Sequence, residues 1–227
     1  MAEQIDVRKR ILAENDARAQ EMRARFAAQG TLVLNLISSP GSGKTTLLEA
    51  TVRALAPELR LGALEGDIAT ERDAQRLRDL GIPAHQILTG GACHLDARQV
   101  HAALGQEGFN DLDILFVENV GNLICPTSYD LGEDFKVVLL SVVEGADKPY
   151  KYPAIFSKAR TTVITKADLL PYVDFALEDV RGQVATLKPD GTFLVTSSRG
   201  EPGIATWLDF LRTTLAAKRR AAATTRR

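Results

Sequence analysis

From residue 31 onward the chain alternates short apolar runs with segments of helical period. Stretches such as LVLNLI (32–37) and KVVLLSVV (136–143) are apolar nearly throughout, as in strands whose two faces are both covered in a parallel sheet. Strands are expected at 31–37, 59–64, 84–88, 114–118, 136–143, 161–165 and 192–196, and helices at 44–56, 70–80, 95–104, 173–187 and 204–217. This alternation, joined by right-handed crossovers, predicts a three-layer, doubly wound α/β fold with a mostly parallel sheet. Ahead of it, residues 5–28 place Val7, Ile11, Leu12, Met22 and Phe26 at helical spacing, a thin stripe that marks an amphipathic helix leaning on the domain. Glu14–Arg18 and Glu21–Arg25 are spaced for i,i+4 pairs, and Gly30 stops the helix. The expected organisation is a packed N-terminal helix over 1–30, one α/β domain over 31–217 and a basic, flexible tail over 218–227.

Composition narrows the function classes. A net charge of −1, with 45% hydrophobic and 25% charged residues, belongs to an ordinary soluble domain and makes no electrostatic case for nucleic acid. No apolar run approaches the ~18 residues of a membrane span, and MAEQIDVRKR lacks the apolar block of a secretory signal. Two cysteines, Cys93 and Cys125, together with a phosphate loop fit a reducing cytoplasm.

Doubly wound sheets bind ligands beyond the carboxyl ends of their strands. The loops that begin near Ser38, Glu65, Thr89, Glu118, Ser141, Thr165 and Thr196 are therefore where a site is expected. The first carries SSPGSGKTT (38–46), the end of a Walker A pattern with Ser38 in place of its first glycine. Around Gly41, Ser42 and Gly43 the backbone N–H groups can turn onto phosphate oxygens, and the following helix N-terminus adds its dipole. Lys44 is placed to reach the β- and γ-phosphates and Thr45 to bind Mg²⁺, with Thr46 beside it. The bland alternative is a Gly-rich turn with an exposed lysine; the strand before it and the helix after it argue against that.

ITKADLLP (164–171) follows another apolar run. A carboxylate at Asp168 accepts two hydrogen bonds from guanine, from N1–H and from the exocyclic amine, a pair adenine cannot supply, so such a site discriminates strongly between bases. The Lys166 stem stacks along the base plane. The motif usually reads Asn-Lys-x-Asp, and Thr165 stands where its amide would be. Ser197, in TSSRG (196–200), marks a second base-site segment after the last strand. In DILFVENVGN (113–122), Glu118 is placed to orient water around Mg²⁺ and Gly121 to offer its N–H to the γ-phosphate. Asp67 and Asp73, in EGDIATERDAQ (65–75), either assist Mg²⁺ and position the attacking water or serve as helix-terminal acids. Lys44, Asp67, Asp73 and Glu118 form the candidate catalytic set.

Cys93-His94 follows the pair Gly90-Gly91 in TGGACHLDARQ (89–99), and Cys125 lies four residues past Gly121. Two thiolates and an imidazole suit Zn²⁺ or Ni²⁺ far better than Mg²⁺, although packing cysteines satisfy the same spacing. Cys125 belongs to the segment that must move when the γ-phosphate leaves Gly121, so a ligand there lets hydrolysis alter metal affinity.

Taken together, SSPGSGKTTLL, EGDIATERDAQRL, TGGACHLDA, FVENVGNLICPTSYDLGE, VVEGADKPYKYP and ITKADLLP resemble the hydrogenase nickel-incorporation GTPases of the HypB family, over residues 31–211. The resemblance implies a SIMIBI-type P-loop GTPase domain, similar in fold to the signal-recognition and nitrogenase-type nucleotide-binding proteins. It implies GTP and GDP with Mg²⁺ as ligands, slow hydrolysis of GTP to GDP and phosphate, and a homodimer when GTP is bound. It implies a small zinc-bearing nickel chaperone of the HypA type as a partner, and the [NiFe]-hydrogenase large-subunit precursor as the destination of the metal. Within the family pattern Cys93, His94 and Cys125 match a Ni²⁺ or Zn²⁺ site at the dimer interface; Gly41, Gly43, Lys44, Thr45 and Thr46 match the phosphate loop, and Lys166 and Asp168 the base site. Lys148 and Lys151, in ADKPYKYP, match a segment used near the nucleotide and the dimer contact. No cysteine or histidine precedes residue 31, so the nickel-storing N-terminal motifs of some relatives are not expected, and His85 and His101 read as structural or surface residues. The competing readings are a urease-type or cobalamin-enzyme chaperone GTPase, a P-loop small-molecule kinase, and a metal-binding module whose nucleotide only stabilises a dimer.

Overall fold

Along β1 (Leu32–Ser38), Leu32, Leu34 and Leu36 pack on one face of the sheet while Val33 and Ile37 pack on the other, as the period of two requires. The computed structural model describes residues 2–67 and 71–225, with side chains over residues 9–67 and 71–224. The first half contains α1 (Ala2–Gln29), β1, α2 (Lys44–Leu55), β2 (Leu61–Asp67), α3 (Arg72–Arg78), β3 (Ala84–Leu88), α4 (Ala97–Ala103) and β4 (Ile114–Glu118). The second half contains β5 (Phe135–Ser141), α5 (Lys148–Lys151), α6 (Pro153–Lys158), β6 (Thr161–Thr165), α7 (Leu177–Leu187), β7 (Thr192–Val195) and α8 (Ala205–Thr225).

All seven strands are parallel, in the order β3-β2-β4-β1-β5-β6-β7. The chain winds from β1 out to β2 and β3, returns to β4 and then crosses to β5, so the order reverses beside β1. The carboxyl ends there form the crevice in which such sheets bind ligands. Helices α2, α3 and α8 cover one face, where Leu47, Leu48, Trp207 and Leu211 meet the leucines of β1. The opposite face is covered by α1 and α4 over β2 and β4, and by α6 and α7 over β5 and β6. Each fully buried leucine or phenylalanine contributes about 1.5–3 kcal/mol, and the Trp207 indole is satisfied by donating Nε1–H to Thr51 Oγ1 at 2.9 Å.

Every expected strand is present, and so is the N-terminal helix, with corrections of detail. Ala19, Met22 and Phe26 bury the inner face of α1, whereas Ile11 is 50% exposed; the Val7 side chain lies outside the described residues. Arg18 pairs with Glu21 at 2.7 Å and Arg25 donates to Asn110 at 3.1 Å, in place of the i,i+4 pairs the spacing offered. Over its described residues the basic segment from residue 218 is helical and not frayed. α8 runs on through it to Thr225, because alanine-rich sequence favours helix and because Lys218 pairs with Asp134 at 2.6 Å and Arg219 with Asp113 at 2.5 Å. The short helices α5 and α6 lie outside the expected set; each carries a proline in its first turn, so neither shows a period. Thr70, in the expected helix 70–80, lies outside the described residues. Among the described residues no helix is long and apolar enough to cross a membrane.

Candidate nucleotide site and metal centre

β1 ends at Ser38, and the chain then turns through Gly41 at φ +75° and Gly43 at φ +94° before α2 begins at Lys44. Both glycines occupy the left-handed region that side chains disfavour, so the turn needs them. Lys44 is only 7% exposed and donates from Nζ to Ser38 Oγ at 2.9 Å, while lying 3.7 Å from Glu118 Oε1. Ser42 Oγ also bonds to Ser38 Oγ. Ser38 therefore parks the lysine at the floor of the loop, a use not visible when it was read only as a lost glycine. From β6, Thr165 Oγ1 donates to the Ser42 carbonyl at 2.6 Å, and Lys166 Nζ donates to the Gly41 carbonyl at 2.7 Å. The segment expected to read the base thus supports the phosphate loop directly.

Two carboxyls lie beneath the loop. Glu65 and Glu118 are paired across β2 and β4 and are 2% and 6% exposed. Burial raises both above the ordinary carboxylate range; the neighbouring Glu118 charge raises Glu65 further, and the Lys44 charge opposes both shifts. Thr45 Oγ1 donates to the Glu118 carboxyl, 3.2 and 3.3 Å from its two oxygens, and Glu65 Oε1 has no hydrogen-bond partner among the described residues. A buried acid pair facing one lysine, with an unpartnered oxygen, is a donor set of the hard kind that Mg²⁺ takes. Further along, Asp73 accepts a 2.9 Å hydrogen bond from Arg76 Nη1, while Arg76 Nε and Nη2 grip Glu49 of α2 at 3.0 and 2.9 Å.

A cleft of about 700 Å³ opens over these groups and brings together Gly41, Gly43, Lys44, Thr45 and Thr46 with Asp67, Asp73, Glu118 and Gly121, and with Lys166 and Asp168. Its size is in the range of small-molecule sites. Ser42 is buried under the loop, and Ser197 acts from behind by donating to Asp168 Oδ1 at 2.5 Å. Gly121 sits against the loop so closely that a Cβ there would come within 2.8 Å of Pro40 Cγ and 3.0 Å of Pro40 N. Lys148 and Lys151 are not brought to this cleft. They lie on α5, where Lys151 pairs with Asp147 at 2.5 Å and Lys148 stands 5.5 Å from the Tyr152 ring centroid.

The three candidate soft ligands meet nearby. One ligand atom from each of Cys93, His94 and Cys125 lies within 4.8 Å of the others, and Cys93 Sγ is 3.6 Å from His94 Nδ1. Burial lowers the His94 pKa and so favours the neutral imidazole a metal requires, whereas hydrogen bonding to Cys125, then burial, raises Cys93. The His94 ring stacks on Tyr129 at 3.8 Å between centroids. Three asparagines hold the loops that carry these residues. Asn122 donates to the Cys93 carbonyl at 3.3 Å and accepts from Ile124 N and Cys125 N at 2.8 and 3.4 Å. Asn15 of α1 accepts from Ala97 N and donates to the Asp130 carbonyl, both at 2.8 Å. Asn119 accepts from Leu95 N at 3.2 Å. The sequence singles out none of the three: Asn119 just past a strand end and Asn15 on the inner face of α1 carry a weak signal, and Asn122, in the loop after β4, carries none. Three ligands of this kind leave room for a further donor at a metal.

Residues 32–195 match the family described as CobW/HypB/UreG, nucleotide-binding domain. Over 217 residues the chain is 46% identical to the hydrogenase maturation factor HypB of Azotobacter chroococcum mcd 1, covering 96% of this chain and 71% of the relative. It is 44% identical over 211 residues to the hydrogenase/urease maturation factor HypB of Helicobacter hepaticus, covering 91% and 86%. The crystal structure of HypB from Helicobacter pylori in complex with nickel superposes with a TM-score of 0.83 at 43% identity, covering 92% of this chain and 97% of that one.

Proposed function

The chain belongs to the CobW/HypB/UreG nucleotide-binding family, within its HypB group of hydrogenase maturation factors, and from that premise we propose that it is a GTPase that delivers Ni²⁺ during [NiFe]-hydrogenase maturation. The observation that carries the proposal is the short segment from Glu118 to Cys125. It starts at a buried acid beside Lys44, passes Gly121 against the phosphate loop, and ends at a sulfur clustered with Cys93 and His94. One piece of chain thereby touches both the end of the nucleotide site and the metal ligands.

In this reading the phosphate-loop N–H groups and Lys44 bind the phosphates of GTP, leaving Ser38 as Lys44 turns to them. Gly121 offers its N–H to the γ-phosphate. Asp73, oriented by Arg76, positions the attacking water, and Asp168, held by Ser197, reads guanine with Lys166 along the base. Thr45, Asp67 and Glu118 would hold Mg²⁺, which when bound neutralises charge on the phosphates. Arg76 is engaged by Glu49 and Asp73, which supports slow turnover suited to a timing switch.

Ni²⁺ is the cargo, bound by Cys93, His94 and Cys125; Zn²⁺ satisfies the same ligands. A GTP-dependent homodimer in the cytoplasm would receive the ion from a small zinc-bearing chaperone of the HypA type and pass it to the hydrogenase large-subunit precursor. The segment with Lys148 and Lys151, remote from the cleft within one chain, is proposed to act at the dimer contact. A second reading, service to urease as well, is favoured by the similarity to the Helicobacter hepaticus hydrogenase/urease factor.

Turnover with GTP and ATP, each with and without candidate small-molecule acceptors, tests the activity. The expected result is phosphate release from GTP without an acceptor, in the presence of Mg²⁺. Transfer to a small molecule would identify a kinase instead, and absence of any turnover would identify a binding module.

A further inference from the structure

Asn119 directly follows Glu118 at the end of β4 and is 1% exposed. Its backbone N–H donates to the Leu36 carbonyl at 2.9 Å, which fixes its main chain to β1. Its side-chain oxygen accepts two hydrogen bonds, from Val120 N at 3.0 Å and from Leu95 N at 3.2 Å. Its amide nitrogen donates to Asn35 Oδ1 at 3.2 Å, and Asn35 Nδ2 donates in turn to Glu133 Oε1 at 3.3 Å. The oxygen faces two N–H donors, and the nitrogen faces a carbonyl whose own amide is committed to a carboxylate. Only one orientation of the Asn119 amide satisfies all of these groups.

The two N–H groups on that single oxygen belong to neighbours of functional residues. Val120 precedes Gly121, which packs on Pro40 of the phosphate loop. Leu95 follows His94, one of the three clustered ligands. Asn122 meanwhile ties the Cys93 carbonyl to the Cys125 amide, so one side chain links the two sulfur-bearing backbones while the residue after His94 is held by Asn119. Drawing Gly121 toward a γ-phosphate shifts Val120 N against the Asn119 oxygen. The bond to Leu95 N on the same atom then changes, and with it the place of the imidazole relative to the two sulfurs.

We infer that Asn119 is the positioning residue that transmits γ-phosphate occupancy to the Cys93/His94/Cys125 cluster, through one carbonyl oxygen shared by the two loops. The inference rests on the proposed GTPase and metal-delivery function and adds the atom through which the two sites communicate. Coupling is a ratio of metal affinities in two nucleotide states, so it has a direct readout.

Ni²⁺ titration of the full chain and of Asn119→Ala, each saturated with Mg²⁺ and either GDP or a non-hydrolysable GTP analogue, tests it. The unsubstituted chain is expected to show dissociation constants that differ by about tenfold or more between nucleotide states. In Asn119→Ala the ratio is expected to fall to about twofold or less, with the nickel–thiolate absorption band retained and GDP still bound. A variant that keeps the parent ratio overturns the role of Asn119 while leaving metal delivery standing. A parent ratio of one removes the coupling itself, and this inference with it. Because Asn119→Ala leaves buried partners unpaired, amide hydrogen exchange of the unsubstituted chain supplies a readout without a variant. Leu95 N–H and Val120 N–H are expected to change protection by about tenfold between the two nucleotide states, while Leu115 in the core of β4 does not. Equal protection of both loop amides in the two states overturns the proposal.

Discussion

Thr165 Oγ1 lies 2.6 Å from the carbonyl oxygen of Ser42 and donates a hydrogen bond to it, so the strand that leads into the proposed base-recognition segment also holds the floor of the phosphate loop. The acceptor is buried, and Thr165→Val would leave it unpaired at a cost of about 1–3 kcal/mol. The expected outcome is a lower melting temperature and roughly tenfold weaker GDP binding, with Thr165→Ser close to the parent. Calorimetric titration with GDP and a thermal melt check both. Unchanged affinity in Thr165→Val would show that the loop holds its shape without β6.

Lys44 is the only lysine facing the buried Glu65 and Glu118 carboxyls among the described cleft residues, and it rests on Ser38. Lys44→Ala is expected to lower the rate of phosphate release from GTP by at least about 100-fold, while circular dichroism shows a folded domain. Normal turnover in that variant would contradict the role given to the loop.

Glu65 provides a pH test. Burial, reinforced by the nearby Glu118 charge, raises its folded pKa above the unfolded value, and Glu118 is shifted in the same direction, chiefly by burial. A carboxyl shifted this way binds protons more tightly when folded. Its contribution to stability is therefore fully present below the unfolded pKa and is lost as pH rises through the folded one. Without nucleotide or Mg²⁺, the melting temperature should fall as pH climbs from the ordinary carboxylate range. Glu65→Gln should flatten that slope and be more stable on its alkaline side by about 1–3 kcal/mol. Equal slopes in the two proteins would remove Glu65 as the cause.

Cys125→Ala separates the two sites. Losing one of three ligands should weaken Ni²⁺ binding by at least about tenfold, with GDP affinity held, since Cys125 is not among the residues lining the nucleotide cleft. An unchanged Ni²⁺ titration would exclude Cys125 as a ligand.

The parts of this molecule that sequence reveals are those where identity and local pattern suffice. Apolar runs buried on both faces announce parallel strands, Gly43-Lys44-Thr45 marks the turn from β1 into α2 that opens on the cleft, and Cys93, His94 and Cys125, offered together by the sequence as soft donors, meet within 4.8 Å in the structure. What it hides are pairings made across distance. Asn35 interrupts LVLNLI with no visible reason until β4 brings Asn119 beside it and the loop before β5 brings Glu133. Ser38 looked like a missing glycine, yet it holds Lys44; Thr165 looked like a missing amide, yet it holds Ser42. Lys148 and Lys151 matched a family segment but point to no group of the cleft, because α5 engages them with Asp147 and Tyr152. The basic end is solvent-exposed over most of its described residues, as its charge suggests, but it is not frayed there: Lys218 and Arg219 pair with Asp134 and Asp113, and α8 continues to Thr225.

The measurement that bears most directly on this account is the Ni²⁺ dissociation constant of the unsubstituted protein in its GDP and GTP-analogue complexes, with oligomer mass followed in parallel. Glu118, Gly121 and Cys125 share one short segment, so the two constants are predicted to differ by about tenfold or more. Identical constants in both complexes, for monomer and dimer alike, would contradict it.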